Sequence, residues 1–282
     1  MNTLEAGIVM VNSTLSIPGQ FGHRAIEWYS HIMSVADSRV EKWPLMSSPF
    51  PAILITIGYI SLCYMVPKMP NKGYIIVSKL LLPYNLVNVC LNLYIFYELF
   101  NVVQHYNWIC EPVDYSENEI ALRAASALWW YFISKLIDFL DTVFIILRGK
   151  TRQLTFLHVY HHSTMFVLWW IGVKYVAGGS SAFGACINSG VHVLMYTYYA
   201  ICSKQTNSVV LGICKRFKKY LTILQMLQFV AAMIMGLNAL RVGCPFPLWM
   251  QYAMIFYMVT FLALFGNFYI SRYTLQRYDK NN

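Results

Sequence analysis

Residues 155–176, TFLHVYHHSTMFVLWWIGVKYV, decide the fold. The stretch is long and apolar enough for one bilayer-spanning helix, which needs about 20 residues. Within it, His158, His161 and His162 stand at positions i, i+3 and i+4, which lie on one face of a helix. An ionisable side chain inside a span costs roughly 2.5–3.5 kcal/mol on insertion scales. Three histidines in one turn therefore indicate a functional site.

The composition places this stretch in an integral membrane protein. Of the 282 residues, 58% are hydrophobic and only 12% are charged, against about 25% charged in a typical soluble domain. A disordered chain, a basic nucleic-acid-binding domain and an ordinary cytosolic enzyme are excluded. The sequence predicts an all-α membrane protein, a single domain over residues 1–282 with no nucleic-acid partner. Seven spans are expected near residues 50–67, 75–100, 120–147, 155–176, 181–202, 220–241 and 247–270.

Lysine and arginine set the predicted orientation. The loops after spans 1, 3 and 5 and the C-terminal tail, with their immediate flanks, hold 14 of the 21 basic residues, including Arg148, Lys150, Arg152 and most of residues 215–219. The positive-inside rule puts these segments in the cytoplasm and the N-terminus outside or in a lumen. The single N-x-S/T sequon begins at Asn12, on the lumenal side, and is a candidate glycosylation site.

Three other predicted spans carry polar side chains at a similar depth. They are Lys135, Asp138 and Asp141 in span 3, Asn188, His192, Tyr196 and Tyr199 in span 5, and Gln225 and Gln228 in span 6. With about 1.5 Å of rise per residue, the histidines and most of these polar groups lie roughly 5–18 Å from the cytoplasmic helix ends. The pattern predicts a buried site that opens to the cytoplasm and adjoins an apolar chamber.

The H-x-x-H-H spacing admits several chemistries. Histidine boxes hold two irons in membrane desaturases and hydroxylases, which takes about eight histidines, whereas only four of the seven histidines here lie in the polar layer. A single metal ion would need a carboxylate ligand, which Asp138 or Asp141 could supply. Alternatively, an imidazole attacks a thioester in a chamber that excludes water. A transporter with a polar cavity at this depth is a further alternative.

Four runs resemble, in order, the four signature boxes of the very-long-chain fatty acid elongases, the ELO family. They are residues 135–142 (KLIDFLDT), 158–162 (HVYHH), 188–199 (NSGVHVLMYTYY) and 222–228 (TILQMLQ), and the similarity runs from about Trp43 to Tyr269. Residues 127–132 and 173–179 are most similar to the branch that makes the longest saturated and polyunsaturated chains. That branch often has Glu where this chain has Asp138, so the charge is kept on a shorter side chain.

The resemblance implies a 3-oxoacyl-CoA synthase, the condensing enzyme of fatty acid elongation in the endoplasmic reticulum membrane. This acyltransferase joins a long-chain acyl-CoA to malonyl-CoA and releases CoA and carbon dioxide. Six of the seven helices would form a barrel around a narrow tunnel closed at the lumenal end, and the C-terminus would be cytoplasmic. No cofactor or metal is expected. The expected partners are the two CoA substrates, the bilayer, further copies of the chain, and the ketoreductase, dehydratase and enoyl reductase of the cycle.

Residue roles follow from the same resemblance. His161 would be the nucleophile, and His158 and His162 would orient it and move protons. His192 and Asn188 are candidate donors to an enolate oxygen. The remaining candidates order the histidines, hold the CoA arm or line the tunnel: Lys135, Asp138, Asp141, Tyr196, Tyr199, Gln225 and Gln228. The basic cytoplasmic loops either attract CoA phosphates or carry only ordinary positive-inside charge.

Two of the seven cysteines, Cys110 and Cys244, fall in loops that the topology puts on the oxidising side. Elongase relatives of this type have cysteines at both places. A disulfide between the two is therefore expected, with two separate thiols as the alternative. The other five cysteines are expected to be small residues in or near the spans.

Overall fold

The computed structural model describes residues 17–65, 74–203 and 208–275, and apolar runs form nine α-helices within these ranges. In chain order they are α1 (Ile17–Ser34), α2 (Phe50–Met65), α3 (Tyr74–Val103), α4 (Glu119–Ile137), α5 (Phe139–Leu147), α6 (Phe156–Tyr175), α7 (Ser181–Cys202), α8 (Ser208–Arg241) and α9 (Leu248–Tyr269). The chain divides into two units, residues 1–36 and 37–282. The first unit contains α1, which lies outside the predicted spans, and the second contains the other helices.

Most helix bounds agree with the predicted spans to within a few residues, but α8 does not. It begins at Ser208, twelve residues before the predicted start of span 6. The basic run at residues 215–219 is therefore part of a helix, whereas the sequence analysis assigned it to a loop. Lysine and arginine are good helix formers, so a charged segment that ends an apolar window does not end the helix.

The predicted span 120–147 is two helices, α4 and α5, separated at Asp138. At the joint, the backbone N–H of Asp141 donates to the carbonyl oxygen of Asp138 at 3.1 Å. This bond spans three residues and tightens the turn, and a tightened turn inside a helical stretch often marks a functional position. The expectation of one continuous helix is wrong, and the break falls on one of the candidate carboxylates, Asp138.

Three helical segments within the described ranges are long and apolar enough to cross a membrane: Val77–Val103, Val209–Arg241 and Leu248–Thr274. The apolar helix α2 is shorter, at 16 residues. Only 11% of the most apolar window of the last segment is buried within the protein. By contrast, α7 buries polar residues such as Asn188 and His192. The chain is an integral membrane protein, and the polar residues of α7 lie in its interior.

Helix packing is most extensive between α3 and α7 and between α8 and α9. In addition, α4 packs against α3 and α6, α7 against α8, and α6 against both α9 and α2. Aromatic side chains fill the space between these helices. Phe132 of α4 stacks on Phe166 of α6 at 4.9 Å between ring centroids, and Phe229 of α8 contacts Phe261 of α9 at 5.0 Å.

Two disulfides tie the helical ends. Cys110 in the loop after α3 is joined to Cys244 in the loop after α8, with an S–S distance of 2.01 Å. Cys202 at the end of α7 is joined to Cys214 in α8. The second bond contradicts the expectation that the remaining cysteines are all unpaired core residues. Because α8 begins earlier than predicted, its first turns bring Cys214 to a Cα–Cα distance of 6.2 Å from Cys202.

The loop that carries Cys110 is fixed by backbone contacts with the α6–α7 turn. Gly179 in that turn has a φ of +57°, and the next residue, Ser180, donates its N–H to the carbonyl oxygen of Glu111 at 2.9 Å. In the same loop, hydrogen bonds, chiefly from the backbone N–H of Ser116, hold the pKa of the exposed Asp114 carboxyl below its usual range. These bonds give the loop a defined shape without requiring an apolar core of its own.

Candidate active site

The three histidines of the H-x-x-H-H run lie in the first two turns of α6. The helix begins after Thr155, whose hydroxyl accepts the backbone N–H of His158 at 3.2 Å and so caps the helix. The ring centroids of His158 and His162 are 4.4 Å apart, and those of His161 and His162 are 5.1 Å apart. The structure therefore brings all three imidazoles together at one end of α6.

One of these histidines is held by a hydrogen-bond chain from two other helices. The Thr142 hydroxyl of α5 lies 2.7 Å from Nε2 of His158. The same hydroxyl lies 3.0 Å from the phenol oxygen of Tyr59 on α2. Tyr59 stacks on Phe139 with ring centroids 4.1 Å apart. Sequence analysis missed Tyr59, because an aromatic residue in an apolar span carries no signal beyond ordinary packing.

A buried ionic group lies at the α4–α5 joint. Oδ2 of Asp138 is 3.5 Å from Nζ of Lys135, and these side chains are only 1% and 2% exposed. The same oxygen is 3.9 Å from Nδ1 of the buried His192, which is too long for a hydrogen bond. The Tyr196 hydroxyl lies between the two carboxylates, 2.7 Å from Asp138 and 2.8 Å from Asp141. The candidates of span 3 thus form one group with His192 and Tyr196 of span 5.

Asn188 connects this group to α8. Its side-chain oxygen accepts hydrogen bonds from the Tyr131 hydroxyl at 2.5 Å and from Nζ of Lys135 at 3.3 Å. Its amide nitrogen donates to the side-chain oxygen of Gln228 at 3.2 Å. Nζ of Lys135 also lies 4.3 Å above the Tyr131 ring, in cation–π contact. Tyr131 stands one helical turn before Lys135, and that spacing was the available signal for a role missed in the sequence analysis.

Other candidates lie at the edge of the group. Among the described residues, the Gln225 side chain hydrogen-bonds to the sulfur of Met195, at 3.7 Å. Tyr199 is 39% exposed, and its ring centroid is 6.0 Å from that of Tyr196. The structure does not bring either residue into the hydrogen-bond network found among the described residues. Asn12, the candidate glycosylation site, lies outside those residues.

His161 and His162 are half-buried, and the His161 ring faces α9. It packs against Phe261 of α9 at 5.3 Å between ring centroids. Among the described residues, no side chain hydrogen-bonds to the ring nitrogens of His161 or His162. An imidazole whose nitrogens are unpaired in an apolar setting retains its lone pair for attack on a substrate.

Buried asparagines on α3 extend the polar interior beyond the sequence candidates. Asn88 and Asn92 are fully buried, and their amide nitrogens donate to the carbonyl oxygens of Tyr84 and Asn88, one turn back. Their side-chain oxygens have no hydrogen-bond partner among the residues placed by the structure. The repeated four-residue spacing was visible in the sequence, but single amides in spans usually join helices and were not treated as a site.

Metal ligation can be examined for the same part of the chain. Within residues 17–65, 74–203 and 208–275, no group of three or more His, Cys, Asp or Glu side chains is arranged to hold a metal ion. Asp138 already faces the ammonium group of Lys135. A cation at that carboxylate would be repelled by the lysine charge.

These features define a class: an integral membrane protein whose enclosed helices carry histidines beside a buried lysine–aspartate group. Residues 44–281 match the ELO family, described as the GNS1/SUR4 family, and the chain belongs to that family. The family assignment made from the four signature runs is confirmed.

Three similar proteins are named as very long chain fatty acid elongases. The chain is 46% identical over 266 residues to human very long chain fatty acid elongase 4, covering 93% of this chain and 83% of the relative. Mouse very long chain fatty acid elongase 4 is 45% identical over 260 residues, covering 90% and 82%. Very long chain fatty acid elongase 5 of Tachysurus fulvidraco is 41% identical over 244 residues, covering 86% and 81%.

Proposed function

We propose that this chain is the condensing enzyme of very-long-chain fatty acid elongation, a 3-oxoacyl-CoA synthase. The family and the names of its relatives support fatty acid elongation. The observation that carries the reaction class is the cluster of unpaired imidazoles, His161 and His162, on the helix that packs against the one carrying Lys135. A nucleophile and a charged polar group in a protein interior are the parts that acyl transfer requires.

The first step forms an acyl-enzyme. A ring nitrogen of His161 attacks the thioester carbon of acyl-CoA, and an N–C bond forms while the C–S bond breaks. The imidazole proton leaves with the sulfur as free CoA. The acyl-imidazole product hydrolyses readily in water, and the apolar surroundings of His161, including Phe261, protect it.

The second step joins the two carbon chains. Malonyl-CoA loses carbon dioxide, and the electron pair of the broken C–C bond forms an enolate at the thioester. The enolate carbon attacks the acyl carbon, and the bond to imidazole breaks. One proton then restores neutral His161, and 3-oxoacyl-CoA is released. No external oxidant or reductant is needed to balance these steps. Because histidines supply both the nucleophile and the proton transfers in this scheme, chelators are expected to leave the rate unchanged.

The proposed donors to the enolate oxygen are His192 and Asn188, which lie in the buried group around Lys135 and Asp138. His192 is 4% exposed and lies next to the Asp138–Lys135 pair. Asn188 uses one amide hydrogen for Gln228, which leaves the other for substrate. A donor that is already oriented before the charge develops stabilises the transition state without reorganisation.

The architecture proposed for this reaction is a barrel with seven spans. The spans are α2, α3, the α4–α5 pair, α6, α7, α8 and α9. The packing contacts support a ring of six, because α3–α7–α8–α9–α6–α4 and back to α3 is a closed sequence of neighbouring helices, with α2 against α6. A ring of helices leaves an interior that can hold an acyl chain away from lipid and water.

The proposed setting is the endoplasmic reticulum membrane, with the N-terminus lumenal and the C-terminus cytoplasmic. The basic residues near the α5–α6 loop, such as Arg148 and Arg152, would face the cytoplasm, where CoA esters are available. The other enzymes of the elongation cycle and further copies of the chain are the proposed partners.

The decisive experiment supplies radiolabelled malonyl-CoA and a long-chain acyl-CoA to membranes that contain the chain. We expect acyl products two carbons longer, with label incorporated. A transporter would instead give counterflow of its substrate in sealed vesicles and would not consume malonyl-CoA. Absence of malonyl-CoA consumption in membranes with folded protein would overturn the proposal.

The covalent step is tested with labelled acyl-CoA alone. We expect the wild-type protein to become labelled, and peptide mapping to place the acyl group on His161. His161→Ala should lose both labelling and condensation while it still elutes as a folded monodisperse protein. His162→Ala is the matched variant, because it removes the neighbouring unpaired imidazole. Label found on His162, or full turnover by His161→Ala, would refute the assigned nucleophile.

A further inference from the structure

Helix α2 carries none of the four signature runs, yet one of its side chains reaches the histidine layer, the depth of the bundle at which His158, His161 and His162 lie. Tyr59 is 5% exposed and Thr142 is completely buried. The two oxygens are 3.0 Å apart, and the threonine oxygen is 2.7 Å from Nε2 of His158. One hydroxyl therefore links the phenol to the histidine.

The direction of this chain follows from counting hydrogens. The Thr142 hydroxyl has one hydrogen and two partners. If it donates to His158, Tyr59 donates to it, and each hydrogen has a nitrogen or oxygen acceptor. If both partners donated to it, its own hydrogen would have no acceptor among the described residues, because Tyr59 and His158 are its two hydrogen-bond partners there. In the opposite direction, the phenol hydrogen would have to go to Cys63, the other polar side chain that interacts with it. A thiol sulfur is a weak acceptor, so the first direction is favoured.

We propose that Tyr59 is a positioning residue that acts through Thr142 to keep Nε2 of His158 as a hydrogen-bond acceptor. The proton of neutral His158 then stays on Nδ1, and the ring presents a fixed donor on its other side. This inference rests on the proposed function, in which His158 moves protons beside His161. The partner of one ring nitrogen sets the tautomer, and a wrong tautomer strongly lowers the rate of a histidine-dependent reaction.

Substitutions can separate the hydroxyl from the packing of the ring. Tyr59→Phe keeps the stack on Phe139 and removes only the donor. Thr142→Val removes the intervening hydroxyl, whereas Thr142→Ser retains it. Tyr257→Phe is the matched control, because it deletes another phenol–threonine hydrogen bond, 2.5 Å to Thr164 of α6. The Thr164 hydroxyl also lies 3.5 Å from the backbone carbonyl oxygen of His161, but it hydrogen-bonds to no histidine ring among the described residues.

The first readout is steady-state kinetics of condensation. Tyr59→Phe and Thr142→Val should each lower kcat about 10- to 100-fold, the loss typical of removing a partner that orients a functional histidine. KM should stay near the wild-type value, and the double variant should be no slower than either single variant. Thr142→Ser and Tyr257→Phe should stay within about twofold of wild type. The proposal would be overturned if the fold loss in kcat of the double variant equalled the product of the two single losses. It would also be overturned if Tyr59→Phe had the same rate as Tyr257→Phe.

The second readout does not depend on catalysis. In protein labelled with ¹⁵N-histidine, the His158 signals are assigned by their loss in His158→Gln. We expect Nδ1 protonated and Nε2 unprotonated in the wild type, and a mixture of tautomers in Tyr59→Phe. A wild-type Nε2–H, or an unchanged tautomer in Tyr59→Phe, would refute the role of Tyr59. If the tautomer is as expected but malonyl-CoA is not consumed, the proposed function fails and the positioning role remains.

Discussion

Gly179 has two separate reasons to be glycine. Its φ is +57°, in the left-handed region that other residues rarely adopt. In addition, a Cβ there would lie 2.6 Å from the carbonyl oxygen of Pro112. The loop that carries Cys110 therefore packs against bare backbone at this point.

We expect Gly179→Ala to destabilise the protein by about 1–3 kcal/mol or more, because strain and a backbone clash add together. Gly184→Ala is the control: this glycine is in α7 and an added Cβ meets nothing within 4 Å. Gly184→Ala should leave the free energy of unfolding unchanged or raise it by about 0.5–1 kcal/mol. Thermal unfolding in detergent measures both variants, and equal melting temperatures would contradict the argument.

The Lys135–Asp138 pair gives a second prediction at the scale of single residues. Both side chains are almost fully buried. Removing one partner leaves an uncompensated buried charge, which costs roughly 3–5 kcal/mol. Lys135→Met should therefore lower the melting temperature strongly, and adding Asp138→Asn to it should restore part of the loss. Stability is the readout, since both variants are expected to be inactive. A double variant less stable than Lys135→Met would show that the pair is not coupled.

At the scale of single residues, sequence analysis identifies site residues whose spacing carries information. It misses residues whose role in the site depends on how the helices pack. His158, His161 and His162 are brought together by helix periodicity alone. Tyr59 and Tyr131 reach the site from apolar stretches in which a tyrosine usually only fills space. Their hydroxyls acquire partners only when α2 meets α5 and α4 meets α7.

The break between α4 and α5 shows the same limit at the scale of elements. Residues 119–147 contain no glycine or proline, so nothing in their local sequence predicts an interruption before Arg148. The break coincides with the buried Asp138, whose carboxylate lies next to Tyr196 and His192 of α7 as well as to Lys135 of α4. For α8 the prediction fails in the opposite direction: the helix is longer than predicted, because an apolar window defines the membrane crossing and not the full helix.

The disulfide Cys110–Cys244 is predicted to stabilise the helix ends without taking part in the reaction. A bridge across 134 residues is worth roughly 4–5 kcal/mol in the chain-entropy model. Cys110→Ser should lower the melting temperature clearly and the condensation rate much less, because neither sulfur lies in the histidine layer. Cys90→Ser, at an exposed free cysteine, is the control and should change neither. A rate loss larger than that explained by unfolded protein would assign the bridge a direct part in the site.

For the whole molecule, the orientation in the membrane can be tested with two exposed loop positions. Asn107 follows α3, and Arg152 lies between α5 and α6. In a Cys90→Ser background, Arg152→Cys should react with an impermeant maleimide in sealed microsomes. Asn107→Cys should react only after detergent opens the vesicles. Equal labelling of both before detergent, or the reverse order, would contradict the orientation derived from the basic residues.

The membrane class of the whole chain could be predicted from composition, because only burial in lipid accommodates so many apolar side chains. The order of helices around the bundle could not. It depends on which apolar faces fit one another, and α3 and α7 are far apart in sequence although they form the most extensive pair. The second disulfide was missed for a different reason: α8 begins earlier than predicted, and its first turns bring Cys214 to Cys202.

The bond between Cys110 and Cys244 also closes a covalent ring. All four candidate histidines, together with Lys135, Asp138 and Gln228, lie inside the interval that it encloses. A single protease cut anywhere within that interval would leave every atom of the candidate site in one covalent molecule. The cut would become visible on a gel only after reduction. A nicked molecule of this kind would retain its reacting groups on one connected chain, whereas a cut outside the ring would release a terminal fragment that carries none of them.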